Sequence, residues 1–514
     1  MRLTAKKERA SPLFYFCGCG LLVGLLLGGG RGNAYPGAVA MQIVSVPVLL
    51  AALWRLMDTR LTPKARSALW LCGAFLLVPL AQLVPLPPAV WTKLPLREHA
   101  VATLEAIGQA ASWTPTWAPI SLAPEKTWLG LLSMVPPLSV FLAALTLNGL
   151  ERRRLTLLCL GAGLVNLFVG LAQLAQGPSS PLRFYQFTSA HDVVGLFANR
   201  TQLATFFYSL LLFAAAWMAG AAIRLTAATP AAPPGSARSK SKAASSKTRQ
   251  AASRFDAAEI TTLMLAGTVL VVLMVGVIMA ASRAGLVLAF VALAAAFALP
   301  KGVAPPATPR PALRWAVLGA MGLVLLFFAQ YGLSRLLARF EADPLADARF
   351  VIARVTTDAA LAAMPFGSGF GTFVPVYALF ETPRDMLNDA YVNHAHNEFL
   401  EFWLESGVAG VAVMLAFLAW FVLRCFDVWR LRVAEGGETD LFLARAASLV
   451  VALLLAHSLV DFPLRFGAHA ALFAFCCALL IAPQTAQRLR AGGPAHRGAA
   501  APDRARVSRP ATAA

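Results

Sequence analysis

Twelve apolar runs, most of them long enough to cross a bilayer as helices, constrain this chain more than any other feature of its sequence. They fall at about 13–29, 38–56, 68–84, 128–147, 155–174, 202–222, 260–281, 286–299, 315–333, 402–423, 441–460 and 468–481. A hydrocarbon layer about 30 Å thick is spanned by about 20 helical residues. Lipid offers no hydrogen bonds, so each run must satisfy its own backbone, and a helix does this within the segment. Hydrophobic residues make up 58% of the 514, and the mean hydropathy is +0.66. No single soluble core could bury so much, so the expected fold is an all-α polytopic membrane protein with about 12 transmembrane helices and large outer loops.

Charge sets the orientation. The net charge of +19 gathers in clusters between alternate runs: Arg2 to Arg9, Arg55 to Arg66, Arg152 to Arg154, Arg224 to Arg254, Lys301 to Arg314 and Arg424 to Arg432. Basic loops stay on the cytoplasmic side, which puts both termini inside. The clusters are not interleaved with aromatics on a soluble module, which argues against nucleic acid as a partner and leaves membrane lipids. The organisation expected is a cytoplasmic N-terminus (1–12), spans one to six (13–222) with an outer loop at 85–126, and a disordered basic loop (223–258). Spans seven to nine (259–333), a large outer loop (334–399), spans ten to twelve (400–482) and a disordered cytoplasmic tail (483–514) follow. The start resembles a signal peptide, but a second apolar run follows with no small-residue cleavage site, so an uncleaved first span is expected. The seven cysteines show no metal-type spacing, and no internal repeat is apparent.

The densest polar stretch lies at the mouth of span ten, from His394 through His396, Asn397, Glu398, Glu401 and Glu405 to Gly407 and Gly410. With a helix beginning near His394, Asn397, Glu401 and Glu405 fall four apart on one stripe. Spacing alone also allows a capped helix end with a solvated acidic face. Upstream, Arg349 and Arg354 lie in an amphipathic pattern over 348–358, followed by the glycine run Pro365-Phe366-Gly367-Ser368-Gly369-Phe370-Gly371. That run lacks the Lys-Ser/Thr ending of a phosphate-cradling loop, and its glycines fit turns that bring Arg349 and His396 together. Arg283 stands between two apolar runs, either as an interfacial arginine snorkelling out of a turn or as an anion clamp. Arg200 heads span six, and Arg183, His191 and Asp192 lie in the loop before it.

The wording His396-Asn397, nine residues, Gly407, two residues, Gly410 resembles the signature of the O-antigen ligase and polymerase superfamily. Ser282-Arg283-Ala284-Gly285 resembles a second pattern of that superfamily, and Arg349, sixteen residues before Pro365, a third. The stretch 197–202 departs from the related Asn-Arg-Asn pattern at Thr201, and 457–465 resembles the end of many members. The resemblance implies a GT-C-like membrane glycosyltransferase that needs neither metal nor cofactor. It would work on the periplasmic face of the bacterial inner membrane and move a glycan from a polyprenyl (undecaprenyl) diphosphate to an acceptor hydroxyl. Carried residue by residue, it makes His396 the catalytic base and assigns the diphosphate to Arg283 and Arg349. Arg200, Arg354, His394, Asn397, Glu398, Glu401, Arg183 and His191 are the supporting substrate-binding candidates. The chain contains no Asp-x-Asp pair, the usual mark of a metal-dependent sugar-nucleotide site.

The acceptor stays open between lipid A-core (O-antigen ligation), a growing glycan (polymerase) and a protein, with ligation preferred on the motif's spacing. A transporter of lipid-linked glycans would use the same charged residues, but transporters tend to place them near mid-bilayer on broken helices of repeated halves, whereas here they gather at span ends. A scaffold of an envelope complex would leave the His and Arg cluster unexplained.

Overall fold

The computed structural model describes residues 10–30, 36–111, 116–227, 244–303, 330, 345–386, 391–431 and 437–481. Every expected span has a helix in it except 315–333, which apart from residue 330 lies outside the described residues. Among the described residues, eight helical segments are long and apolar enough to cross a membrane, with Pro124–Thr146 counted as one, and three shorter apolar helices accompany them. In order, α1 (Pro12–Leu27), α2 (Pro36–Met57) and α3 (Pro63–Gln82) lead into a segment with α4 (Pro88–Trp91) and α5 (Glu98–Ala111). There, β1 (Pro85–Leu86) pairs antiparallel with β2 (Ala118–Pro119). α6 (Pro124–Ser133) and α7 (Val135–Thr146) share one expected span, bent where Pro136 and Pro137 remove backbone donors. α8 (Gly149–Gln176), α9 (Arg200–Ala227), α10 (Ala244–Ala280) and α11 (Arg283–Ala296) follow. The chain closes with α12 (Leu345–Ala362), α13 (Phe373–Phe380), α14 (Glu398–Arg430), α15 (Glu438–His457), a 3-10 turn at Pro463–Arg465 and α16 (Gly467–Leu479).

α9 and α15 are the inner helices, and Phe206, Phe207, Phe213 and Phe442 are fully buried in the main apolar cluster. Outward faces carry Trp54, Trp70, Phe168 and Phe297, all highly exposed and apolar, as a lipid solvent requires. A smaller cluster joins α12 and α13 to Leu404 of α14.

The two ends of the bundle differ in chemistry. At one end, arginines satisfy helix-terminal carbonyls and pair with acids: Arg152 donates to Leu145 and Ile481, Arg445 to Leu299 and Lys301, and Arg224 pairs with Glu259 at 2.8 Å. The other end holds the starts of α9, α11, α14 and α16, the end of α15 and the polar motifs. The basic stretch 223–258, expected to be disordered, is helical at both its edges. α9 runs through Ala227 and α10 begins at Ala244, while 228–243 lies outside the described residues. Alanine, lysine, arginine and glutamine are good helix formers, and the Arg224–Glu259 pair ties α9 to α10 near this stretch.

The segment 177–199 at the motif end turns back along α8. Gln173 donates to the carbonyls of Leu182 and Gly195 and accepts from Gly195 N–H, and Asn166 accepts from Leu196 N–H at 3.0 Å. Gly170 leaves room for Val193, since an added Cβ would lie 2.4 Å from it.

Candidate active site

The helix of the His motif begins later than the spacing suggested. Asn397 is its N-cap, accepting from the N–H groups of Phe399 and Leu400, so His394 and His396 belong to the approach to the helix. His396 sits at φ 50, in the left-handed region that a non-glycine residue rarely adopts. α14 then breaks at Gly407 (φ 59, ψ −153), a conformation open essentially to glycine alone. The glycine run fills that break. Val408 N–H donates to Pro365 O, and Ser368 and Gly369 N–H groups donate to the carbonyls of Leu404 and Glu405. The contact is so close that a Cβ on Gly367 would sit 2.5 Å from Gly407 N. Gln82, buried at the end of α3, ties both pieces together by donating to Phe366 O and Glu405 O and accepting from Phe370 N–H. The glycines therefore dock the loop into the kinked helix, a closer role than the turn expected from sequence.

The acidic stripe is not solvated. Glu401 and Glu405 are at most 1% exposed and converge on Arg465, Glu405 Oε2 at 2.8 Å and Glu401 Oε1 at 3.3 Å. Two buried carboxylates drive the Arg465 guanidinium pKa upward, outweighing the desolvation that would lower it. Glu401 also accepts from His394 Nδ1 and Ala395 N–H, both at 2.8 Å. Glu398 accepts from the Ser458 hydroxyl and Leu464 N–H, latching α14 to the turn between α15 and α16. Glu398, Glu401 and Asn397 thus fix the backbone on either side of His396, and the carboxylate that faces His396 is a different one.

That carboxylate is Asp461. His396 Nδ1, a buried atom with no hydrogen-bond partner, lies 3.7 Å from Asp461 Oδ1, while the side chain as a whole is 30% exposed. The ring packs edge-on against Phe462, whose ring also lies tilted against His394 at 4.3 Å between centroids. Asp461 Oδ2 accepts from Gln202 Nε2 at 3.0 Å and lies 3.9 Å from His457 Nε2. Burial alone would raise the Asp461 carboxyl, but the imidazoles of His396 and His457 beside it hold it below the usual carboxylate range. Arg349 is close enough for its charge to bear on His457.

The arginines share an unusual placement. Arg200 is the first residue of α9 and Arg283 the first of α11, and Arg349 lies in the opening turns of α12. A cation at a helix N-terminus opposes the macrodipole at a cost of about 0.3–1 kcal/mol, and that end is where anions are favoured. Ser282, the cap of α11, reaches Thr201 of α9 at 3.4 Å, so the starts of the two helices adjoin. Arg200 pairs with Asp192 at 2.6 Å. Arg354 pairs with Asp385 and is 61% exposed. Arg183 donates to the carbonyls of Ser189 and Asp192, tying down its own loop, and His191 is exposed. Among the described residues, no three His, Cys, Asp or Glu side chains are grouped to hold a metal ion. Asp461, Arg465, Gln202 and Gln82 were not singled out from sequence. Two charged residues between the last two spans, at the same end as the motif, were the available signal for Asp461 and Arg465.

Residues 268–415 match the O-antigen ligase family model, a segment that holds Arg283, Arg349, Arg354, the glycine run and the whole His motif but neither Arg200 nor Asp461. No curated protein matches the chain.

Proposed function

We propose a function for this chain on the premise that it belongs, through residues 268–415, to the O-antigen ligase superfamily: it is a membrane glycosyltransferase that moves a glycan from a polyprenyl diphosphate to an acceptor hydroxyl of lipid A-core. The observation that carries the reading is the setting of His396. Its Nδ1 is buried against the Asp461 carboxylate while part of the ring stays open. An imidazole with Nδ1–H directed at a carboxylate keeps its lone pair on Nε2, the arrangement of a general base. In the transfer step the acceptor oxygen bonds to the anomeric carbon as the bond from that carbon to the diphosphate breaks. The hydroxyl proton passes to His396 Nε2, and Asp461 steadies the resulting imidazolium. The diphosphate departs with added negative charge, which Arg283 and Arg349 neutralise, supported by Arg200 and Arg354. Arg200 and Arg283, each the first residue of its helix, suit this task because the helix ends add their own positive potential.

The chemistry needs no metal in this reading, since fixed guanidiniums do the work of a divalent cation. The side is the periplasmic one: the polar site lies opposite the end where Arg152, Arg224 and Arg445 gather, and basic ends face the cytoplasm. The test is reconstitution in liposomes with polyprenyl-diphosphate glycan and lipid A-core, without ATP and with chelator. Transfer is expected, and His396→Ala should lower its rate by about two to four orders of magnitude while donor still binds. Donor movement across the bilayer with no new glycosidic bond would refute the enzyme in favour of a transporter. Chain growth on a second donor molecule, without ligation to lipid A-core, would identify a polymerase.

A further inference from the structure

Two buried imidazole nitrogens without hydrogen-bond partners converge on one carboxylate, and the proposed transfer uses only one of them. The other is His457 Nε2, on the last residue of α15, whose side chain is fully buried. The carboxylate sets the tautomer of that ring, because an ionised oxygen can only accept, which places the hydrogen on Nε2 and leaves Nδ1 as the acceptor. His457 Nδ1 lies 3.1 Å from both Thr205 Oγ1 and Tyr208 Oη. The Thr205 hydroxyl proton is donated to Thr201 O, which leaves the Tyr208 proton for Nδ1. An imidazole that accepts at Nδ1 carries its hydrogen on Nε2, and here that N–H faces Asp461 Oδ2. Gln202 Nε2 donates to the same oxygen.

We propose that His457 is a positioning residue: its Nε2–H, backed by the Tyr208 hydroxyl at Nδ1 and acting with the Gln202 amide, holds the Asp461 carboxylate ionised and turned toward His396 Nδ1–H, so that His396 Nε2 stays the proton acceptor. The inference rests on the reading of His396 as the base. A histidine present only to pack would not need an unsatisfied nitrogen aimed at a buried carboxylate that already has a partner in the site. The 3.9 Å separation is an electrostatic contact, of the kind that tightens when a substrate fills the site.

Side-chain geometry gives a selective test on the full-length protein in liposomes with polyprenyl-diphosphate glycan and lipid A-core. Glutamine places an N–H near the position of Nε2, whereas asparagine reaches only the position of Nδ1. His457→Asn is expected to lower kcat by about 10–100-fold, with the KM for donor and acceptor unchanged, and His457→Gln to restore most of it. Tyr208→Phe, which removes one hydroxyl, should lower kcat in the same sense and carries the test if His457→Asn does not accumulate. In an Asp461→Asn background, His457→Asn should cost little more, because residues acting through one carboxylate are not additive. The proposal is overturned if His457→Asn and Tyr208→Phe keep the full kcat, if glutamine does no better than asparagine, or if the losses multiply in the Asp461→Asn background. His396→Ala with undiminished transfer would instead overturn the reading of the site itself, so the two failures are distinguishable.

Discussion

Arg465 is the side chain whose removal should do most damage outside the reacting centre. Its guanidinium is the charge partner of two carboxylates, Glu405 at 2.8 Å and Glu401 at 3.3 Å, that are at most 1% exposed. Arg465→Met would leave Glu405 buried with only the long contact from Phe373 N–H at 3.4 Å, while Glu401 keeps His394 and Ala395 N–H. Breaking a buried pair from one side costs about 3–5 kcal/mol, most of it the penalty of the orphaned charge. If that penalty is the cause, Arg465→Met/Glu405→Gln should recover more than half of the loss, because the second change removes the uncompensated charge. Thermal unfolding of the wild type, both single variants and the double variant in one detergent closes the cycle. A double variant no more stable than Arg465→Met alone, or an Arg465→Met protein as stable as the wild type, would refute the view that Arg465 neutralises the interior of the His-motif helix.

Further outcomes follow from the same geometry. At Gly407 an added Cβ would meet Pro365 O at 2.3 Å, so Gly407→Ala should destabilise the protein by about 1–3 kcal/mol, whereas Gly73→Ala and Gly161→Ala, with nothing within 4 Å, should unfold like the wild type. Equal unfolding of all three would refute the glycine-locked break. Arg283→Lys and Arg349→Lys should each lower transfer at least about tenfold, because an ammonium does not reproduce the bidentate fork, and full activity in both would place the diphosphate elsewhere. Asp461, faced by His396, His457 and Gln202 with Tyr208 and His469 beyond, has a lowered carboxyl pKa. The stability it lends is therefore present above the ordinary carboxyl range, about pH 4, and lost as pH falls through its lowered value. Asp461→Asn should flatten that acid limb, and an unchanged limb would show that the carboxylate contributes nothing there.

Hydropathy made the spans legible because each one must satisfy its backbone alone, a property written locally in the residues. The start of the His-motif helix was legible for a similar reason, since Asn397 accepts from N–H groups only two and three residues further on. What could not be read was whatever depends on distant partners. Glu405 and Arg465 are 60 residues apart, Gln82 and Glu405 are 323 apart, and Gln202 and Asp461 are 259 apart. No periodicity links such pairs. The break in α14 was also hidden, because Gly407 and Gly410 in an apolar run read as a continuous helix, and only the docked glycine run gives Gly407 its left-handed conformation.

The path of residues 177–199 explains why so many polar groups are tolerated at this end. Asn166, which holds Leu196, precedes the end of α8 by ten residues, about 15 Å of helix. The irregular backbone leading into Arg200 therefore runs beside the body of a membrane-spanning helix, where only an environment buried in protein or facing water can support it. Gln173 and Asn166 supply the first part of that support from within the helix. The consequence is that the starts of α9 and α11 are recessed alongside α8, and with them Arg200, Arg283 and the Gln202–Asp461 contact. A recessed cationic site suits a diphosphate carried on a lipid tail: the tail can stay among the acyl chains while the charged group meets guanidiniums at its own depth, in a medium of low dielectric where each contact is stronger than it would be in water.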